Sequence, residues 1–91
     1  IILIRKAKGT KYTSFFTVEG EVRERTSMEN VFEKLKSDEF IMVDRGSIVN
    51  LRHIMKVRDN IIYLSNGDTV EASYARIKNV KESIWKYWEE R

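Results

Sequence analysis

Cysteine and proline are both absent from the 91 residues, glycine occurs only four times, and His53 is the single histidine. Each scarcity closes off a class of answer. Without cysteine there is neither a disulfide framework nor a thiolate zinc site, which suits a reducing, cytoplasmic setting. With one imidazole, no second histidine can share a metal, and its neighbours Asn50 and Arg52 suit a loop or surface residue better than a general base. Gly9 stands alone, so no glycine-rich phosphate cradle is present. No apolar run approaches the roughly 20 residues that cross a bilayer. The opening Ile1-Ile2-Leu3-Ile4 is also shorter than the about 7–15 apolar residues of a signal-peptide core. The carboxylates scatter along expected solvent faces, with no pair placed across a cleft. Catalysis, a cofactor, a metal site and a membrane contact are therefore not expected.

A chain of this length makes one domain, residues 1–91, with one modest core. It opens inside an apolar strand and lacks an initiator Met, as expected of a domain excised from a longer protein.

The net charge of +3 is small, but it is unevenly spread. Residues 1–12 hold Arg5, Lys6, Lys8 and Lys11 with no acid, for +4. Residues 13–44 come to −4, and residues 45–91 to +3. Segregation of this kind favours one cationic face, the footprint of a polyanion binder, although a solvated surface with lumpy charge fits equally well.

Short runs of β-branched and aromatic residues between polar turns predict a mainly β fold. Strands are expected at Ile1–Lys6, Tyr12–Val18, Glu21–Arg25, Phe40–Val43, Ser47–Asn50, Ile54–Arg58, Ile61–Leu64 and Thr69–Ala72. Glu19-Gly20 and Asp59-Asn60 mark hairpins, and Asn66-Gly67 predicts a type I′ turn. All connections are short enough for antiparallel pairing. Thr26 or Ser27 is expected to cap a helix, and Thr26-Ser27-Met28-Glu29 fits a capping box in which Glu29 reaches back to the cap amide. Met28, Val31, Phe32 and Leu35 then follow as one helical stripe, better read as core than as a ligand pocket. From about Tyr74, the spacing of Ile77, Val80, Ile84 and Trp88 predicts a C-terminal helix with Trp85 and Tyr87 on its flanks.

The most specific stretch is Phe40–Val57, FIMVDRGSIVNLRHIMKV. Two buried strands flank a tight turn, where Gly46 lets the backbone bend and approach a ligand closely. Arg45 stands at the tip, placed to fork onto a phosphate or onto guanine O6 and N7. Asn50 reads as a buried amide satisfying loop backbone groups.

This stretch resembles the LytTR family, the C-terminal DNA-binding domains of LytR/AgrA-type response regulators. There the same place reads as a Phe, a His-rich turn with a Ser, then Val-Asn and an Ile. The resemblance covers almost the whole chain. The basic loop before Tyr12 matches the family's first recognition loop, and Arg25-Thr26-Ser27-Met28 with Phe32 and Leu35 its short helix. Leu64-Ser65-Asn66-Gly67 matches its Asn-Gly hairpin, and Ala72-Ser73-Tyr74-Ala75-Arg76 its Ser-Arg segment. The resemblance implies an elongated arrangement of small antiparallel sheets with one short internal helix, to which the periodicity adds the C-terminal helix. It implies double-stranded DNA as partner, with loops in successive major grooves, a bent duplex, and pairs of molecules on imperfect direct repeats. An upstream receiver or other signalling domain would complete the regulator. Carried over, Lys11 lies where the first loop addresses a base edge, with Lys8 in that loop and Tyr12 directly after it as further DNA contacts. Arg45 takes the second base-reading position, with Gly46 near phosphate. The third reader falls at or beside Ala75 and Arg76, followed by Lys78. The chain departs from the pattern at Asp44, where three roles are open: orienting Arg45, accepting from a cytosine amino group, or weakening binding. Ala75 stands where some relatives carry arginine.

Two other readings compete. A protein-interaction module would use strand edges and the aromatics Trp85, Tyr87 and Trp88. Single-strand stacking on Tyr12, Phe15 and Phe16 would need those rings on one exposed face, whereas a strand alternates them.

Overall fold

Strand-forming runs joined by short turns pair with their sequence neighbours, and most of the strands here do so. A computed structural model describes residues 1–6, 9–35 and 37–90. Among these, eight strands and two α-helices form: β1 Leu3–Lys6, β2 Tyr12–Thr17, β3 Gly20–Arg25, α1 Met28–Leu35, β4 Phe40–Asp44, β5 Ser47–Asn50, β6 Ile54–Arg58, β7 Ile61–Leu64, β8 Thr69–Glu71 and α2 Ile77–Glu89. A single 3₁₀ turn, Leu51–His53, separates β5 from β6.

The strands make two antiparallel sheets, one of five strands in the order β3-β2-β1-β5-β4 and one a β6-β7-β8 meander. The molecule is β-rich and elongated, with extents of 35 × 29 × 24 Å. In the larger sheet β1 is central: Leu3 lies between Phe16 and Val49, and Ile4 between Phe15 and Ile48. Successive strand residues point to opposite faces, so these two sets enter different cores. Ile4, Ile48, Phe15 and Met42 pack under Met28 and Val31 of α1. Leu3, Val49, Phe16 and Ile41 face the smaller sheet and α2, meeting Ile62, Leu64, Val70, Val80 and Ile84. With both faces covered, all four residues of β5 are buried.

Phe15 and Phe16 thus lie on opposite faces, which removes the single-strand stacking platform. Asn50 does what its position suggested: Nδ2 donates to the Ile1 carbonyl at 2.8 Å and Oδ1 accepts from Arg52 N–H at 2.9 Å. Of the two cap candidates of α1, Ser27 is the one used: its Oγ accepts from Asn30 N–H at 3.1 Å, while the Thr26 carbonyl accepts from the Thr13 hydroxyl at 2.7 Å. Three local expectations change. Phe32 leaves the helical stripe and is exposed. In α2 the stripe runs through Tyr87, which packs against the core, while Trp85 and Trp88 are turned outward and meet edge to face at 5.8 Å. At Asn66-Gly67 only Gly67 has a positive φ, 91°, whereas a type I′ turn needs two. Leu64 C=O accepts from Gly67 N–H at 3.1 Å, and Leu64 N–H donates to Asp68 at 2.9 Å, closing a three-residue loop with a glycine bulge.

Candidate nucleic-acid interface

Three segments distant in sequence are tied together at one end of the larger sheet. The β4–β5 turn carries Arg45 at its tip. Asp44 Oδ1 accepts from Gly46 N–H at 2.8 Å, an Asx turn that fixes the bend. The register slips between Met42 and Asp44, and the extra residue, Val43, is driven into the core. Lys6 N–H donates to Gly46 C=O at 2.9 Å, fastening the turn to the end of β1. On the other side Ser73 N–H donates to Val43 C=O at 3.0 Å, fastening the segment that leads into α2.

Between these segments lies an open cleft of about 1070 Å³, lined by Arg5, Lys6, Gly9, Arg45, Gly46, Ala75 and Arg76, with Asp44, Ser47, Val70, Glu71 and Ser73 completing its wall. Lys11 lines an adjoining hollow of about 270 Å³ with Arg25 and Lys6, so Lys6 connects the two. Lys11, Lys6, Arg45 and Arg76 therefore line two adjoining hollows, the larger of which also carries the carboxylates of Asp44 and Glu71. Only one ion pair forms among the described residues, Arg23 with Glu21 at 2.9 Å on the exposed edge strand β3. That guanidinium, helped by the Ser14 hydroxyl, holds the Glu21 carboxyl below its ordinary range. None of the cleft's cations is neutralised in this way by a described carboxylate. The cleft's rim includes the start of α2, whose first turn carries Lys78 and no acid and whose cap position, Arg76, makes no side-chain cap. The positive end of a helix dipole thus adds to the side-chain charge.

Of the residues expected to contact DNA, Arg45, Gly46 and Arg76 share the cleft with Ala75, and Lys11 adjoins it. Tyr12, the first residue of β2, is half exposed beside Arg25, and Lys78 is exposed on α2; neither lines the cleft. Lys8 lies outside the described residues. Asp44, whose role was open, is engaged by the turn that presents Arg45. Gly46 does not take a positive φ, and a Cβ there would meet Lys6 Cβ at 3.8 Å and Asp44 Oδ1 at 3.9 Å, ordinary contacts. The fold itself therefore does not demand a glycine at the turn.

The sequence reading did not single out Arg5, Lys6, Arg25 or Glu71 as site residues. For Arg5 and Lys6 a signal was present: they lead the acid-free block, and as the last two residues of β1 they are exposed although the strand is central. Arg5 also donates to the Thr69 carbonyl at 3.4 Å, a contact between the two sheets. Among the described residues no group of three His, Cys, Asp or Glu side chains could hold a metal, and no helix is long and apolar enough to cross a membrane.

Among curated proteins none matches the chain. Among solved structures it is similar to the LytTr DNA-binding domain of a protein described as a methyl-accepting/DNA response regulator from Bacillus cereus. The TM-score is 0.82 at 20% identity, over 92% of this chain and 80% of that one, a likeness of fold. The family model for the LytTr DNA-binding domain matches residues 1–85, nearly the whole sequence. The strand order, the basic turn and the match along the chain agree, and the protein belongs to the LytTr DNA-binding domain family.

Proposed function

We propose that this domain is the output module of a cytoplasmic bacterial response regulator, reading specific duplex DNA to control transcription. The observation that carries the reading is the shared cleft, in which Arg5, Lys6, Arg45 and Arg76 converge without acidic partners among the described residues. Arg45, on a turn braced from both sides, is the principal base reader. Arg76 and Lys11 read flanking positions, while Lys6, Lys8, Tyr12, Lys78 and the Gly46 backbone hold phosphates. Phosphate contacts supply most of the affinity, which falls with salt at a log–log slope of about −0.9 per phosphate neutralised. In the full-length protein a receiver or other signalling domain precedes this one, and two copies bind imperfect direct repeats.

The test is selection of bound duplexes from a random pool, followed by gel shifts on the recovered site. Arg45→Ala is expected to weaken specific binding by about 1–3 kcal/mol, the worth of a bidentate base contact, while binding to unrelated duplex changes little. Unchanged affinity for the selected site would remove Arg45 as a reader.

A further inference from the structure

Glu71 is the unexplained group in this cleft. It ends β8, where Thr69 and Glu71 are exposed and Val70 between them points into the core. It shares the cleft with Arg45 and Arg76, yet no Lys or Arg among the described residues lies within 4.0 Å of a Glu71 oxygen. The other carboxylate there, Asp44, is used by the fold, since it closes the turn through Gly46 N–H. Glu71 makes no such bond to the described residues, so neither a turn, a cap nor an ion pair accounts for it. A free carboxylate on a surface meant for a polyanion weakens binding unless it meets a hydrogen-bond donor.

We propose that Glu71 is a specificity-determining residue of this interface, accepting a hydrogen bond from the amino group of a cytosine in the major groove. The inference rests on the DNA-reading function above and deepens it. An ionised carboxylate is acceptor-only. The major-groove edge offers donors only at cytosine N4 and adenine N6, whereas guanine O6 and N7, thymine O4 and every phosphate oxygen are acceptors. Adenine N6 adjoins the acceptor N7 of its own base, which would face the second carboxylate oxygen; on its own base cytosine N4 adjoins C5–H instead. Arginine prefers the guanine edge, so Glu71 beside Arg45 and Arg76 equips the cleft for both strands of a G·C-containing step. Against phosphates and guanine edges the same charge is repulsive, which raises discrimination at a cost in raw affinity.

The decisive experiment selects duplexes from a random pool with the wild-type chain, Glu71→Gln and Glu71→Ala, at one salt concentration. The wild-type motif is expected to contain a cytosine that Glu71→Ala no longer prefers, a loss of about ten- to hundredfold at that position with the rest intact. Glu71→Gln, which presents a donor beside an acceptor, is expected to move that position from cytosine to adenine. Both variants should bind unrelated duplex severalfold more tightly. Identical motifs from all three proteins would overturn the role of Glu71 and leave the DNA-reading function standing. Absence of any motif from the wild-type pool would overturn that function and this inference with it.

Discussion

The two sheets bury their residues by different rules. The five-stranded sheet is covered on both faces, by α1 on one and by the meander with α2 on the other, so its strand β5 has no exposed residue. The meander is covered on one face only, and β8 reads exposed, buried, exposed. Within the cleft, the charged groups of the doubly covered sheet come from the exposed end of β1, Arg5 and Lys6, and from Asp44 and Arg45 at the β4–β5 turn. The singly covered sheet presents Glu71, the exposed last residue of β8. The cleft thus draws its lining from both sheets, and its shape depends on the core between them.

That dependence is the first thing to break. Ile62 of β7 is fully buried in the core shared with Leu3 and Val49 of the larger sheet. Ile62→Ala is expected to cost about 2–5 kcal/mol, the range for deleting a large buried side chain. Because the core is shared, the loss should fall on both sheets together. Urea unfolding followed by tryptophan fluorescence reports on α2, which carries Trp85 and Trp88, and far-UV circular dichroism reports on the whole chain. Coincident transitions are expected for wild type and variant alike. Separate transitions would show that the two sheets are independent units and that the cleft is a junction between them.

Asn50 sharpens the comparison at the seam, since it bonds Ile1 before β1 and Arg52 in the turn that leads to β6. Asn50→Ala leaves a carbonyl and an N–H without their partner, at a cost of about 1–3 kcal/mol. The measurement is the same urea titration. A loss much below that range would mean that water replaces the amide and that the seam is looser than its burial implies.

The covering of the sheets also decides what was legible in the sequence. Ser47–Asn50, Ile54–Arg58 and Ile61–Leu64 were read with the bounds they have, because polar turns bracket each apolar run. The antiparallel pairing, the α1 region and the turn between β4 and β5 were legible as well. Pairing order was not, since β1 meets β5 across more than forty residues and no local pattern encodes that choice. Phe32 and Trp88 misled because helical spacing admits both i+3 and i+4, and only the packing partner selects between them. In the cleft, Arg45 and Arg76 were legible from residue type and position. Arg5 and Lys6 were hidden because only the register shows where β1 passes beyond its neighbours. Glu71 was hidden because a lone carboxylate carries no motif, and only the fold brings it into the same cleft as Arg45.

The smallest expected effects separate structural from functional glycine. Gly67 in the meander's loop has φ 91°, which a side chain rarely adopts. Gly67→Ala is expected to lose about 1 kcal/mol of stability, the cost of left-handed backbone for an L-residue, with DNA affinity unaltered. Gly46 at the turn of the larger sheet is under no such constraint, and an added methyl finds only ordinary contacts at 3.8 and 3.9 Å. Gly46→Ala should therefore leave stability within about 0.5 kcal/mol of wild type, as for surface changes away from special features. Its effect should appear instead in DNA affinity, because a methyl at the cleft wall holds phosphate off the turn's backbone. Thermal unfolding and gel shifts on the same two variants give a crossed pattern if the turn is read by DNA and the loop is not. If Gly46→Ala loses neither stability nor affinity, the Gly46 backbone lies away from phosphate, and recognition at this turn falls to the Arg45 side chain alone.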